Sequence, residues 1–88
     1  MHPVIQQMVN QRINQVTADE LYQYAVKYGI SITKSQAVRI SSRVRGKNID
    51  LFSTSGKAAL QRILSEEMSP GQAAELKKRF EELVDKYS

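Results

Sequence analysis

T-A-D-E-L-Y-Q-Y-A-V-K-Y-G (residues 17–29), I-S-I (30–32) and T-K-S-Q-A-V-R-I-S-S-R-V-R-G-K-N (33–48) run on without a break. The punctuation of this stretch decides the fold. A threonine hydroxyl can accept from a free N–H of a first helical turn, and a Glu or Gln three residues on can reach back to the threonine amide. Thr17 with Glu20 fits that box, and so does Thr33 with Gln36, sixteen residues later. Asp19 and Glu20 also suit the positive end of a helix dipole. Leu21, Tyr24, Ala25 and Tyr28 then recur with the spacing of one helical face, and Gly29 stands where a helix end often turns left-handed. Ala37, Ile40, Ser41 and Val44 make the second stripe, which stops before Gly46. Between them Ile30, Ser31 and Ile32 read as an extended connector with both isoleucines turned inward. Two helices over 18–28 and 34–45 follow, with caps and first turns in register. That register is compatible with an internal duplication.

Charge is the most informative feature of the stretch. Lys27, Lys34, Arg39, Arg43, Arg45 and Lys47 lie between Leu21 and Ile49, with no Asp or Glu among them. The whole chain carries a net charge of +4, so the remaining sequence is net acidic. Arg39 and Arg43 sit one helical turn apart, on the side away from Ala37, Ile40 and Val44. Arg45 and Lys47 flank Gly46 at the exit, and Ser35 and Ser42 place small hydroxyls beside the cations. Cations that neutralise phosphate, next to hydroxyls that position it, are the elements of a nucleic-acid backbone contact. The candidate contact set is Lys34, Ser35, Arg39, Arg43, Arg45 and Lys47.

Outward from this centre every long segment reads as helix. Pro3 opens a first helix over 3–15, whose stripe is Ile5, Met8, Val9, Ile13 and Val16. Its other face is rich in amides (Gln6, Gln7, Asn10, Gln11, Asn14, Gln15) and reads as a solvated neutral surface. Residues 48–55 form a loop with Leu51 and Phe52 turned inward, and Ser53, Thr54 and Ser55 are competing caps for a helix over about 56–67. In that helix Ala59, Leu60, Ile63 and Leu64 face the core. Ser69-Pro70-Gly71-Gln72 is the clearest helix start in the chain, opening a last helix to about residue 86. Its seam of Ala73, Leu76, Phe80, Leu83 and Tyr87, widened by Val84, has coiled-coil spacing over about two heptads, which favours packing within the chain over a dimer. The expected fold is an all-α single domain of about five helices, residues 1–88.

Composition bounds the chemistry. Eighty-eight residues make one small domain with a modest core. With no cysteine there is neither a disulfide framework nor a thiolate metal site. His2, beside the N-terminus, is the sole histidine, so no Ser–His–Asp set can form. Asp19/Glu20 and Glu66/Glu67 are adjacent pairs, expected to diverge rather than converge on a metal. Gly46-Lys47 lacks the other glycines of a phosphate loop. No catalytic residue, cofactor or metal is therefore expected. No secretory leader is expected, because the N-terminal residues lack a basic start and a long apolar run, and no stretch reaches about 20 apolar residues. The expectation is a cytoplasmic, non-enzymatic protein that does not engage a membrane.

Residues 18–40, with a helix ending K-Y-G-I and T-K-S-Q-A opening a second, basic helix, resemble SAP-like and Rho-N-terminal-like nucleic-acid-binding motifs. In those motifs the second helix contacts the nucleic-acid backbone, which by position implicates Lys34, Ser35, Arg39 and Arg43. Over a longer span, P-V-I-Q-Q-M-V-N-Q-R-I-N (3–14), D-E-L-x-x-Y-A-x-K-Y-G-I (19–30) and R-G-K-N-I-D-L-F (45–52) resemble a family of small helical proteins of Bacillus-type Firmicutes with no assigned function. That resemblance implies a bacterial origin and a helical fold, and it transfers no activity.

Two functions compete on this reading. The first is a nucleic-acid-binding module that contacts DNA or RNA phosphates through the basic helix. An off-face Tyr22 beside the basic edge would be suited to stacking on an unpaired base. The second is a protein-interaction adaptor or small homodimer, using the amide-rich first helix or the C-terminal seam. A monomer is favoured over a homodimer.

Overall fold

The computed structural model describes residues 3–87. Five helices follow one another: α1 (Pro3–Asn14), α2 (Ala18–Lys27), α3 (Lys34–Val44), α4 (Thr54–Glu67) and α5 (Pro70–Tyr87). The described residues contain no strand, so the all-α reading holds. From α2 onward each helix packs on the next. The radius of gyration is 12.1 Å, matching the ~12 Å of a packed chain of this length, so no helix stands away from the core.

Both threonine boxes form. Thr17 Oγ1 accepts from Glu20 N–H at 3.1 Å, and Thr17 N–H donates to Glu20 Oε1 at 3.1 Å. The second box is equivalent, Thr33 with Gln36, at 3.0 and 2.9 Å. At the end of α2 the Ile30 N–H reaches back to Ala25 O (2.8 Å) and the Gly29 N–H to Val26 O (3.1 Å). That Schellman closure needs a left-handed residue, and Gly29 supplies it at φ +69°. It also folds Ile30 down beside Ala25, and both are buried. Ile32 is half-buried against the same core. Of the three competing caps for α4, Ser53 is used: its Oγ accepts from the Gly56 N–H at 3.0 Å.

The core joins Leu21, Ala25, Ile40, Val44, Leu60 and Leu64 to Leu76, Phe80 and Val84 of α5. The α5 seam is thus spent within the chain. Tyr24 stacks on Phe80 with ring centroids 6.0 Å apart. Tyr28 departs from expectation: it is 38% exposed, with Arg79 lying 4.8 Å over its ring. The pull of the Schellman turn at Gly29 leaves Tyr28 at the rim while Ile30 takes the interior.

The larger departure is α1. None of its residues is fully buried. Val9 and Ile13 pack on the core, but Ile5 and Met8, expected in the same stripe, are 37% and 60% exposed, with Val4 at 68%. The amide face, expected to be solvated, instead does the docking. Asn14 clamps the Ile49 backbone, donating from Nδ2 to Ile49 O (2.8 Å) and accepting the Ile49 N–H at Oδ1 (2.7 Å). Asn10 accepts the Leu51 N–H at Oδ1 (2.8 Å) and donates to Asp50 Oδ1 (2.9 Å). Gln6 donates to Tyr87 O at 2.9 Å. Ile49 and Leu51 bury their side chains between two helices, so their backbone groups need partners that no helix or sheet supplies. Gln7, Gln11 and Gln15 remain exposed, as the solvated reading requires.

Three substitutions test this arrangement. Asn14→Ala leaves the Ile49 N–H and C=O unpaired and should cost about 1–3 kcal/mol in urea unfolding. Exposed Gln15→Ala should stay within about 0.5 kcal/mol. A Cβ on Gly56 would lie 1.8 Å from Asp50 O, a backbone atom. Gly56→Ala should therefore destabilise by about 1–3 kcal/mol or more through forced backbone displacement.

Candidate nucleic-acid interface

α3 carries the candidate cations because its inward stripe is fixed. Ala37, Ile40, Ser41 and Val44 are buried, which leaves Lys34, Ser35 and Arg39 exposed and Arg43 half-exposed. Arg45 and Lys47 are exposed on the turn that leaves the helix. The six residues do not form one uniform face.

The middle of the set is neutralised. Arg39 Nε donates to Glu67 Oε1 at 2.8 Å. Arg43 sends one guanidinium nitrogen to Glu67 Oε2 (3.2 Å) and the other to Glu66 Oε1 (2.5 Å). Glu66 and Glu67, expected to diverge, converge on one guanidinium. Neighbouring residues on a helix do point apart, but a guanidinium is wide enough to take one carboxylate on each nitrogen. Glu66 also meets Arg62 at 3.5 Å. The hydrogen bond from Arg43 holds the Glu66 carboxyl below its ordinary range, and the hydrogen bond from Arg39 does the same to Glu67. The Glu66 hydrogen bond pushes Arg43 up.

A sequence signal for this pairing was present. Glu66 and Glu67 occupy the last turn of α4, which holds no basic residue. Carboxylates there oppose the helix dipole, so an outside cation is called for. The partner comes from α3 because α4 packs on it. Gln36 strengthens the same junction by donating to Glu67 O at 3.1 Å. Gln72, which closes the cap of α5, bonds Gln36 and also donates to Ser31 O.

The two ends of the set keep their charge. Among the described residues Lys34, Arg45 and Lys47 enter no ion pair. Lys34 and Ser35 hold the first two helical positions of α3, where backbone N–H groups have no intrahelical acceptor. Arg45 and Lys47 lie past the other end, about 16 Å away along the axis at ~1.5 Å per residue. Tyr22 is half-buried against the core, with Lys34 Nζ 5.7 Å from its ring centroid. Its ring face is thus already engaged by a cation. On α5 the ion pairs are Lys77–Glu81 and Arg79–Glu82.

Among the described residues no group of three His, Asp or Glu could hold a metal, and no helix is long and apolar enough to cross a membrane. His2 lies outside the described residues.

The comparisons with known proteins bear on the pattern that runs from α1 through the Ile49–Leu51 crossing. A family model described as a protein of unknown function (DUF2624) matches residues 1–84. The chain belongs to this family. It is 44% identical over 57 residues to the uncharacterized protein YqfT of Bacillus subtilis (strain 168), covering 65% of this chain and 68% of that protein. No solved structure matches the chain. The resemblance to a small helical Bacillus-type family is therefore established.

The Glu66 and Glu67 shifts set a pH dependence. A carboxylate held below its unfolded value adds stability that is present above about 4.5 and is lost as pH falls through the folded value. The melting temperature should therefore fall as pH drops below 4.5. An Arg39→Gln/Arg43→Gln variant, followed by circular dichroism, should melt lower at pH 7 and lose less between pH 5 and pH 3.

Proposed function

We propose that this protein is a non-enzymatic nucleic-acid-binding module of the bacterial cytoplasm. It contacts phosphates through the two ends of α3. The observation that carries the reading is the unpaired, exposed charge of Lys34, Arg45 and Lys47 around a helix whose central arginines are tied to glutamates. Free cations can release counterions on binding phosphate, whereas Arg39 and Arg43 must first leave Glu66 and Glu67. Their role in this reading is to hold α3 against α4. Ser35 and the first-turn N–H groups give an acceptor-seeking surface beside Lys34. The helix–connector–helix arrangement of α2 and α3 supports the SAP-like comparison. With few side chains placed to read base edges, sequence selectivity should be weak.

An exposed apolar stripe favours a second reading. Val4, Ile5 and Met8 lie on α1 without core partners, which suits a protein-interaction adaptor. Sedimentation over a wide concentration range separates self-association through this stripe from a monomer.

Fluorescence anisotropy with labelled single-stranded RNA, single-stranded DNA and duplex DNA tests the leading reading. Affinity should fall steeply with salt. A Lys34→Gln/Arg45→Gln/Lys47→Gln variant should bind more weakly and lower the log–log salt slope by about 0.7–0.9 per lost phosphate contact. No binding at low salt, or an unchanged slope in the triple variant, would refute it.

A further inference from the structure

Beneath α1 lies a cavity of about 170 Å³ whose walls come from all five helices: Ile13, Leu21, Ile40, Leu64 and Leu83 contribute one from each. Every wall residue is aliphatic or aromatic except Arg12 and Glu20. Those two are solvent-exposed and pair with each other at 3.6 Å, so they mark the mouth and send no unpaired charge inward. Glu20 is further held by the Thr17 cap. We propose that this cavity is a binding site for a small, uncharged, apolar organic molecule, about the size of a benzene ring or a six-carbon chain.

Size and lining choose this class. Apolar cavities of ~150 Å³ stay dry and accept benzene. The pocket opens to solvent beside Arg12 and Glu20, so its apolar lining lacks packing partners on one side, and an apolar occupant supplies them. A second cavity of about the same volume shares Leu60, Leu64 and Phe80 but is bounded by Lys57, Gln61, Lys77 and Glu81. With four charged or amide side chains on its lining against two on that of the α1 cavity, it is the less apolar of the two spaces. The α1 side also supplies an entry route. Arg12 and Ile13 of α1, with Val16 in the connection that follows, form that wall, and its apolar side chains are only half-buried. This inference is independent of the nucleic-acid reading, because none of the cations at the ends of α3 lines the cavity.

The test is a titration of the full chain with benzene, and in parallel with hexan-1-ol and hexanoate, read by methyl carbon–proton NMR. Benzene and hexan-1-ol should give saturable shifts of the Ile13, Val16, Leu21, Val44 and Leu83 methyls and raise the melting temperature. Hexanoate at neutral pH should bind at least tenfold more weakly. Leu83→Phe, which brings a ring into the cavity from its half-buried edge, should weaken benzene binding at least tenfold in a protein still folded by circular dichroism. Absence of saturable shifts in the wild-type chain overturns the proposal without reference to any variant. So do shifts centred on Leu51 and Val84 of the other cavity, or tighter binding of hexanoate that is lost in Arg12→Gln.

Discussion

The structure depends on a carboxamide clamp. The chain must cross from the end of α3 to the start of α4, and it does so with Ile49 and Leu51 driven into the core. Burying those side chains also withdraws their backbone groups from water, and no ladder stands beside them. Asn14 and Asn10 restore the lost hydrogen bonds from α1. A side-chain amide presents an NH2 donor group beside a carbonyl acceptor, so Asn14 can match both polar groups of Ile49 and still donate to Asn10 O. An amide face that reads as solvent-facing is in part an internal seam.

That crossing has consequences at a distance. It sets α4 alongside α3, where Glu66 and Glu67 meet Arg39 and Arg43. A stretch that holds six cations in sequence therefore presents its free charge at two ends, with a tethered middle. The ion pairs are partly exposed and each is modest alone, but they form a network with the Gln36 bond to Glu67 O. The same crossing seats Gly56 on the Asp50 carbonyl, where a side chain has no room.

Local chemistry was the legible part of the fold. Thr17, Thr33 and Ser69 announce helix starts because cap geometry is satisfied within four residues, and Gly29 announces an end for the same reason. The α5 seam was also readable, since Leu76, Phe80 and Val84 recur at helical spacing and are buried. Less of α1 was readable. Ile5 and Met8 keep the period of a buried stripe, yet periodicity says which residues share a face and not whether a neighbour covers it. The candidate site divides in the same way. The positions of Lys34, Arg45 and Lys47 outside the apolar stripe follow from helix geometry, whereas the pairing of Arg39 and Arg43 requires residues 23 to 28 positions away.

The sequence by itself determined five helices, the caps of α2, α3 and α5, and the side of α3 that carries charge. These rest on interactions between residues within one or two turns, where chain geometry leaves few choices. Tertiary structure alone decided which amides dock the crossing segment, which arginines are neutralised and where a cavity remains. Those outcomes depend on side chains far apart in sequence meeting at one distance and orientation, which no local pattern specifies.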